Sequence, residues 1–559
     1  MEEDVFKTLL RNRNLENKEV GEVFFNSDWE KHTYDPLHMK DMLKSVQRIK
    51  KALDNNEKIV IYSDYDCDGI PGGVVLHDFF KKLEEGKNQK NKTEEKKDSF
   101  KISFQNYIPH RHNEGYGIHM HAIEKFIKDK VKLIITVDLG ITNIKEIEYA
   151  EKNGIDVILT DHHLPIKDKN GKQILPPAFA VINTKRDDCA YEEKMLCGCA
   201  TAWKLANAFL NKYREEYGVG VGYEKWWLDM VGISTVADMV PLIGENRVLA
   251  KYGLQVLRKS KRQGLQKILS QAKIKQNELN EIDIGFGIAP RLNAAGRMSD
   301  PREAFLSLLD NDESNNYAIK LEGYNNKRKK ETIEANQKIN FTDFENDEVI
   351  LIGNENWTPG ILGLIASKVV DVTKKTVFVW GRGEDESIMK GSVRSGADGA
   401  NVVQLMSLCD DTLLHFGGHE EAGGFAIDKN NIENFKQKLF KVYKKEKINF
   451  KEKKNIFLPE IKIEAKNISN SFYRELQKFS PFGAGNINPV FEITGNVVTL
   501  REFGENKNHI EINLSGVSCI KFNTTEKEKE FYTNLSGSQK IVGQIEWDNF
   551  KNRVKVKII

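Results

Sequence analysis

The chain has 559 residues, 40% hydrophobic and 30% charged, with 84 Lys+Arg against 82 Asp+Glu and a formal net charge of +2. That length predicts three to four domains at roughly 150 residues each, and the composition excludes an intrinsically disordered chain. The near-neutral total excludes a uniformly basic coat but not a nucleic-acid partner, which needs only a local basic groove.

Residues 1–45 are polar and mixed, and read as a leader that packs on a later domain. From Lys58 the pattern alternates strands and helices. Ile59-Val60-Ile61-Tyr62, Lys132 to Val137 and Ile155 to Leu159 are short β-branched runs of buried-strand character. Gly72 to Leu83 and Thr142 to Asn153 carry helical patterns. The Lys/Asn/Glu-rich stretch 86–101 reads as a solvated, mobile loop. This alternation predicts a mostly parallel sheet with helices on both faces. A charged helix over about 313–337 bridges to a second α/β pattern, which opens at Val349 and ends near Lys447. Residues 444–454 read as a charged linker. Short strands with regular turns to Ile559 predict a small β-barrel.

Met1-Glu2-Glu3-Asp4 carries no basic or apolar signal region, no apolar run approaches ~18 residues, and six cysteines make no disulfide framework. These features predict a cytoplasmic protein with no membrane contact.

The sharpest motif is Asp64-Tyr65-Asp66-Cys67-Asp68-Gly69, three alternating aspartates directly after a predicted strand. Ligand sites in parallel sheets lie beyond the carboxyl ends of strands. Three close carboxylates repel one another unless a cation neutralises them. An EF-hand loop would need Glu at its twelfth position and a preceding helix; here that position is Val75 and a strand precedes. An aspartyl nucleophile or a simple helix cap would leave the third aspartate unexplained. The second strand ends in Asp138 and the third in Asp161-His162-His163, so all three present acids or imidazoles at one edge. Asp238 lies in the apolar run Ser234 to Leu242, where an unpaired charge is unfavourable. A carboxylate-rich set with imidazole and no thiolate favours Mn²⁺ or Mg²⁺ over Zn²⁺ and suits a pair of ions. Cys197-Gly198-Cys199, with Cys189, has the wrong spacing for a zinc knuckle. Cys67 reads as a packing residue.

At these residues the chain resembles the DHH phosphoesterase superfamily, whose name matches the run Asp161-His162-His163. It is most similar to the branch of exonucleases specific for single strands. Ile108 to Arg111, Glu114 to Gly117, Pro290 to Arg297, Gly391 to Ser395, Gly417-Gly418-His419 and Phe482 to Asn486 extend the likeness in order along about residues 50–559. The resemblance implies an α/β fold in several parts: a leader (1–45), a parallel-sheet DHH catalytic domain (46–312), a long connecting helix (313–345), a second α/β DHH-associated domain (346–447) and a C-terminal OB-fold barrel (455–559). It implies 5′→3′ hydrolysis of single-stranded DNA to 5′-mononucleotides with two divalent ions, in repair and recombination. The implied metal ligands are Asp64, Asp66, Asp68, Asp138, His162 and Asp238. His163 would touch the scissile phosphate and Asp161 would orient a neighbour. Arg111, Arg291, Ser392, Arg394 and His419 would bind the 5′-phosphate and the strand. Phe479, Phe482, Lys478 and Arg501 are candidates for the DNA path on the barrel. A monomer, with a single-strand-binding protein and a helicase as partners, is the expected cellular setting. Two other functions stand as alternatives. A nano-RNase or cyclic-dinucleotide phosphodiesterase would lack residues 455–559; a non-catalytic replication scaffold would lack metal ligands that are all present here.

Overall fold

The computed structural model describes residues 2–95, 99–383, 385–450, 458–505, 507–548 and 551–559. The chain opens with α1 (Glu2–Asn12) and α2 (Lys18–Asn26), followed by α3 (Met42–Asp54). The expected leader boundary at residue 45 therefore falls inside a helix: Met42, Val46 and Ile49 form one buried stripe that packs under the first sheet.

That sheet contains β1 (Lys58–Ser63), β2 (Phe104–Tyr107), β3 (Val131–Val137), β4 (Asp156–Thr160) and β5 (Ala180–Ile182). Their order is β2-β1-β3-β4-β5, and every pairing is parallel. Side chains alternate between two cores, as a two-sided sheet requires. Ile59, Ile61, Leu133 and Ile135 face α3, α4 (Gly69–Thr93) and further helices. Val60, Tyr62, Ile134 and Leu159 face α5 (Met120–Lys128) and α6 (Ile144–Lys152).

Helix α4 corrects one expectation. It runs to Thr93, into the first half of stretch 86–101, which has no apolar periodicity. Polar anchors hold it instead: Lys87 and Lys90 Nζ donate to the carbonyls of Glu216 and Glu215 at 3.2 and 3.0 Å. Asn88 and Phe100 exchange hydrogen bonds across the following turn. Part of that stretch, residues 96–98, lies outside the described residues.

After the sheet come α7 (Gly198–Tyr213), α8 (Leu228–Ala237), α9 (Gly244–Leu257) and α10 (Ala289–Met298). A polar 24-residue helix, α11 (Ser314–Gln337), leads to the second sheet. Its members are β6 (Val349–Asn354), β7 (Thr376–Arg382), β8 (Ile388–Arg394), β9 (His415–Gly418) and β10 (Ala422–Asp428), in the order β9-β10-β8-β7-β6. Only β6 and β7 are parallel, joined by α12 (Pro359–Thr373). Helix α13 (Ile432–Glu446) covers this sheet, and the expected linker beyond it falls partly on residues 451–457, outside the described residues.

The C-terminal strands are β11 (Ile461–Glu464), β12 (Val490–Phe503), β13 (His509–Leu514), β14 (Val517–Lys521), β15 (Ser538–Asp548) and β16 (Arg553–Ile558). Pairing of β12 with β15 closes them into an OB-like barrel. Val5, Leu9 and Phe24 of the N-terminal helices, with Leu15 of the turn between them, share the barrel's core, so the two ends of the chain pack together. No helix among the described residues is long and apolar enough to cross a membrane.

Candidate metal and phosphate site

Three strand ends build the acidic site. The ladder carries one residue past each strand: Asp64 N–H donates to Val137 O, Asp138 N–H to Thr160 O, and Asp161 N–H to Ile182 O, each at 3.0–3.1 Å. These bonds fix three carboxylates side by side at the carboxyl edge of the sheet. Asp64, Asp68, Asp138 and Asp161 are each at most 3% exposed.

The individual anchors differ. Asp66 Oδ1 accepts from the amides of Asp68 and Gly69, which closes the first turn of α4. Asp68 accepts from Gly198 N–H at 2.6 Å and Cys199 N–H at 2.8 Å, two donors at the N-terminus of α7. Gly198 is required by the close approach of Asp138: an added Cβ would lie 2.5 Å from the aspartate Cβ. The short Cys-Gly-Cys run that resembled a thiolate motif is thus a backbone cradle for a carboxylate, and its thiols are buried. Asp138 itself holds a left-handed backbone at φ +63°, a conformation that costs energy in a non-glycine residue and collects at functional sites.

Asp161 behaves differently from its neighbours. Its Oδ1 accepts from His162 N, His163 N and His163 Nδ1 at 2.7, 3.1 and 2.8 Å, and its Oδ2 accepts from Ile141 N at 2.9 Å. Both its oxygens thus accept from protein donors. Burial would raise its pKa, but the His163 hydrogen bond and the charges of both histidines hold it down to about 2. Burial opposes the charging of His163, yet the Asp161 hydrogen bond and charge, with Asp238 and Asp68, lift it to about 9. Tyr116 Oη donates to the carbonyl of Asp138 at 3.1 Å and lies 3.1 Å from His163 Nδ1.

His162 sits among the carboxylates, with Nε2 3.1 Å from Asp138 and 3.6 Å from Asp68, and Nδ1 3.7 Å from Asp238. Burial and the charge of His163 depress its pKa to about 3, leaving a neutral imidazole able to donate a lone pair. The carboxylates move the other way. Burial first, and mutual repulsion second, push Asp68 up to about 6 and Asp238 to about 8, and raise Asp64 and Asp138 well above the carboxylate range.

These residues fit divalent cations. Donor atoms of Asp64, Asp66 and Asp138 lie within 4.8 Å of one another, as do those of Asp68, His162 and Asp238, and of Asp138, His162 and His163. Asp64 Oδ1, Asp138 Oδ1 and His162 Nδ1 are buried and have no hydrogen-bond partner among the described residues, an arrangement that is unfavourable without an ion. The donor set is oxygen-rich with imidazole, as hard divalent ions prefer.

A second cluster, of arginines, stands beside the first. Arg111 lies over the Tyr65 ring at 4.9 Å. Burial and the charges of Arg111, Arg328 and Arg394 push the Arg297 guanidinium down to about 9; burial and Arg111 lower Arg394. Arg394 Nη1 donates to Ser392 Oγ at 3.2 Å and to the Val393 carbonyl at 2.8 Å. No ion pair with a carboxylate engages Arg111, Arg297 or Arg394 among the described residues, so three half-buried cations converge without a paired carboxylate. From the second sheet, His419 stacks on His163, with ring centres 6.0 Å apart and planes at 10°.

Other expected contacts are placed elsewhere. Arg291 is 6% exposed and turned into α11, where it pairs with Glu322 at 2.5 Å and donates to the Gly287 carbonyl at 2.7 Å. Phe479 is buried in the barrel core, Arg501 pairs with Glu511, and Lys478 pairs with Glu475 on its own helical turn. Phe482 borders a 450 Å³ cavity with Met239, Phe286, Arg297 and Arg328. Sequence reasoning missed Arg297, Arg328, Tyr116 and Lys185. Arg297 and Tyr116 lay inside motifs singled out for other residues. Lys185 interacts electrostatically with Asp238, Asp161, Asp138 and Asp68, with nothing in its sequence context to mark it.

Comparison with known proteins agrees with this geometry. Family models match at residues 58–233 (DHH family, N-terminal domain), 346–445 (DHHA1 domain) and 460–559 (RecJ OB domain). A single-stranded-DNA-specific exonuclease RecJ from Bacillus subtilis is 32% identical over 99% of this chain, which spans 67% of that relative's length. RecJ from Thermus thermophilus, solved in complex with Mn²⁺, superposes with a TM-score of 0.75 at 25% identity, covering 93% of this chain and 71% of that one. A manganese-bound exonuclease RecJ gives 0.61 at 28% identity, covering 73% and 96%. The likeness in sequence extends along 99% of the chain, and the chain belongs to the RecJ family of single-strand-specific DHH exonucleases.

Proposed function

We propose that this protein degrades single-stranded DNA from the 5′ end, releasing 5′-mononucleotides. The observation that carries this reading is the adjacency of two unneutralised clusters of opposite sign. Carboxylates and His162 gather at the sheet edge, and Arg111, Arg297 and Arg394 gather beside them without carboxylate partners. The charge of Arg111 reaches Asp64, and that of Asp66 reaches Arg297.

Asp64, Asp66 and Asp138 would hold one divalent ion, and Asp68, His162 and Asp238 another, with Asp138 next to both. Bound there, Mn²⁺ or Mg²⁺ would supply Lewis acidity to the phosphodiester and to an attacking water, whose pKa such an ion lowers toward ~7. His163, charged and held by Asp161, donates to a non-bridging phosphate oxygen. Arg111, Arg297, Arg394 and Ser392 offer planar and hydroxyl donors suited to a terminal phosphate. A terminal phosphate anchored beside the hydrolytic centre sets both the end-dependence and the polarity. His419 closes the site from the second lobe, which narrows the passage to a single strand. In the cell this activity belongs to repair and recombination, by a cytoplasmic monomer that meets a helicase and a single-strand-binding protein.

Asp138→Ala tests the reading. Cleavage of a 5′-phosphorylated single strand should vanish while strand binding persists. Unchanged turnover would reject the metal assignment.

A further inference from the structure

Among the proposed ligands Asp238 is the most weakly anchored. Its side chain is 28% exposed, whereas those of Asp68 and Asp138 are 2% and 3%. It sits at the C-terminal end of α8, and no hydrogen bond among the described residues holds its carboxylate. The backbone then turns through Met239 at φ +57°, a strained conformation for a residue with a side chain, before reaching Pro241 and Leu242.

The support for this turn comes from the C-terminal barrel. Leu242 N–H donates to the carbonyl of Ala484 at 2.7 Å. Gly485, at φ +71°, backs onto Pro241 so closely that an added Cβ would lie 3.0 Å from the proline Cβ. The loop carrying these residues is itself fixed to the catalytic domain. Arg247 of α9 donates to the carbonyls of Phe479, Ser480 and Pro481 at 3.0, 2.8 and 3.2 Å. Glu281 accepts from Phe482 N–H at 2.8 Å. The Asn486 side chain donates to the Phe479 and Pro481 carbonyls from within the loop.

We propose that the barrel's entry loop, residues 479–486, is a positioning element of the metal centre. By bracing residues 239–242 it holds Asp238 against His162, so docking of the barrel and ion binding at Asp238 reinforce each other. The barrel then acts in hydrolysis as well as in grasping the strand. The inference rests on the reading of Asp238 as a metal ligand.

The test is Mn²⁺ binding to the full chain, followed by the electron paramagnetic resonance of free Mn²⁺. Gly485→Ala should weaken one of two Mn²⁺ sites about tenfold, with turnover regained at raised Mn²⁺ and strand binding in EDTA unchanged. Gly516→Ala is the control. It imposes the same left-handed strain in the same barrel, at φ +96°, where an added Cβ meets nothing within 4 Å, and it should leave the isotherm untouched. A wild-type isotherm for Gly485→Ala, or equal weakening by both variants, overturns the proposal. Should Gly485→Ala fail to fold, hydrogen exchange of the wild-type chain decides. Coupling is reciprocal, so Mn²⁺ should slow exchange at Leu242 N–H, and no change there rejects the coupling. Asp238→Ala separates the two readings. Wild-type Mn²⁺ binding in that variant removes the ligand assignment itself, whereas loss there with none in Gly485→Ala removes only the bracing role.

Discussion

Asp161→Asn probes the acidic residue of the site whose oxygens already accept four hydrogen bonds from the protein. The change keeps the shape of the side chain but converts one oxygen into an NH₂ group. Asp161 is fully buried and accepts four hydrogen bonds, three on Oδ1 and one on Oδ2. Asparagine can accept on one side only, so at least one buried N–H is left facing a donor, at a cost of about 1–3 kcal/mol. The larger effect falls on His163, whose pKa of about 9 stands above an ordinary 6.5 chiefly because of Asp161, against the opposing effect of burial. That difference corresponds to ~3 kcal/mol favouring the imidazolium. Without the carboxylate the ring loses the largest influence that raises it, and its pKa falls. Its protonated fraction, and turnover with it, should therefore fall in the variant, by a loss that grows as pH rises through the variant's own pKa. Bound cations lower His163 in both proteins and slide this window to lower pH without closing the gap. The stability contributions have opposite windows. That of depressed Asp161 is present above its unfolded pKa and lost as pH falls through about 2; that of raised His163 is present below 6.5 and lost as pH rises through about 9. The assay is kcat from pH 6 to 9 at saturating Mn²⁺, with Mn²⁺ affinity measured separately and expected to be retained. Parallel pH profiles for the two proteins would refute the reasoning, and loss of Mn²⁺ binding would make Asp161 a ligand.

Three further outcomes follow from the same geometry. Gly198→Ala should displace Asp138 and the amides that hold Asp68, lowering Mn²⁺ affinity at least tenfold in a chain that still folds, as read by calorimetric titration and circular dichroism. Arg297→Ala and Arg394→Ala should each cut the preference for 5′-phosphorylated over 5′-hydroxyl strands by tenfold or more, and equal loss on both substrates would remove the phosphate assignment. Asp138→Asn should raise Tm in EDTA and lower it in excess Mn²⁺. A carboxyl whose folded pKa lies above its unfolded value destabilises the protein increasingly as pH rises, so the gain in EDTA should grow from pH 4 upward.

Much of the catalytic lobe was legible because its information is local. A β-branched run ending in Asp or Asp-His-His states both the strand and the site at its end, and β1, β3 and β4 lie where Ile59, Lys132 and Ile155 pointed. What stayed hidden depends on contacts distant in sequence. The extension of α4 relies on carbonyls of residues 215 and 216, which no periodicity over 86–93 can reveal. The role of Gly198 is a backbone one, masked by two flanking cysteines with a more familiar chemistry. Arg291 and Arg297 share one motif and one helix, yet Glu322 on α11 claims the first and leaves the second without a carboxylate. Phe479 and Arg501 had suitable chemistry for a DNA path, but the barrel core and Glu511 take them.

A metal-dependent hydrolytic centre that works from a phosphorylated 5′ end fixes the order in which labelled products appear. A single strand labelled at either end, incubated with the full chain and Mn²⁺, tests it most directly. The 5′ label should appear first and as a mononucleotide, with the 3′ label persisting in a shortening ladder, and EDTA or Asp138→Ala should abolish both. Early release of the 3′ label, internal cuts, or cleavage that survives Asp138→Ala would contradict the account.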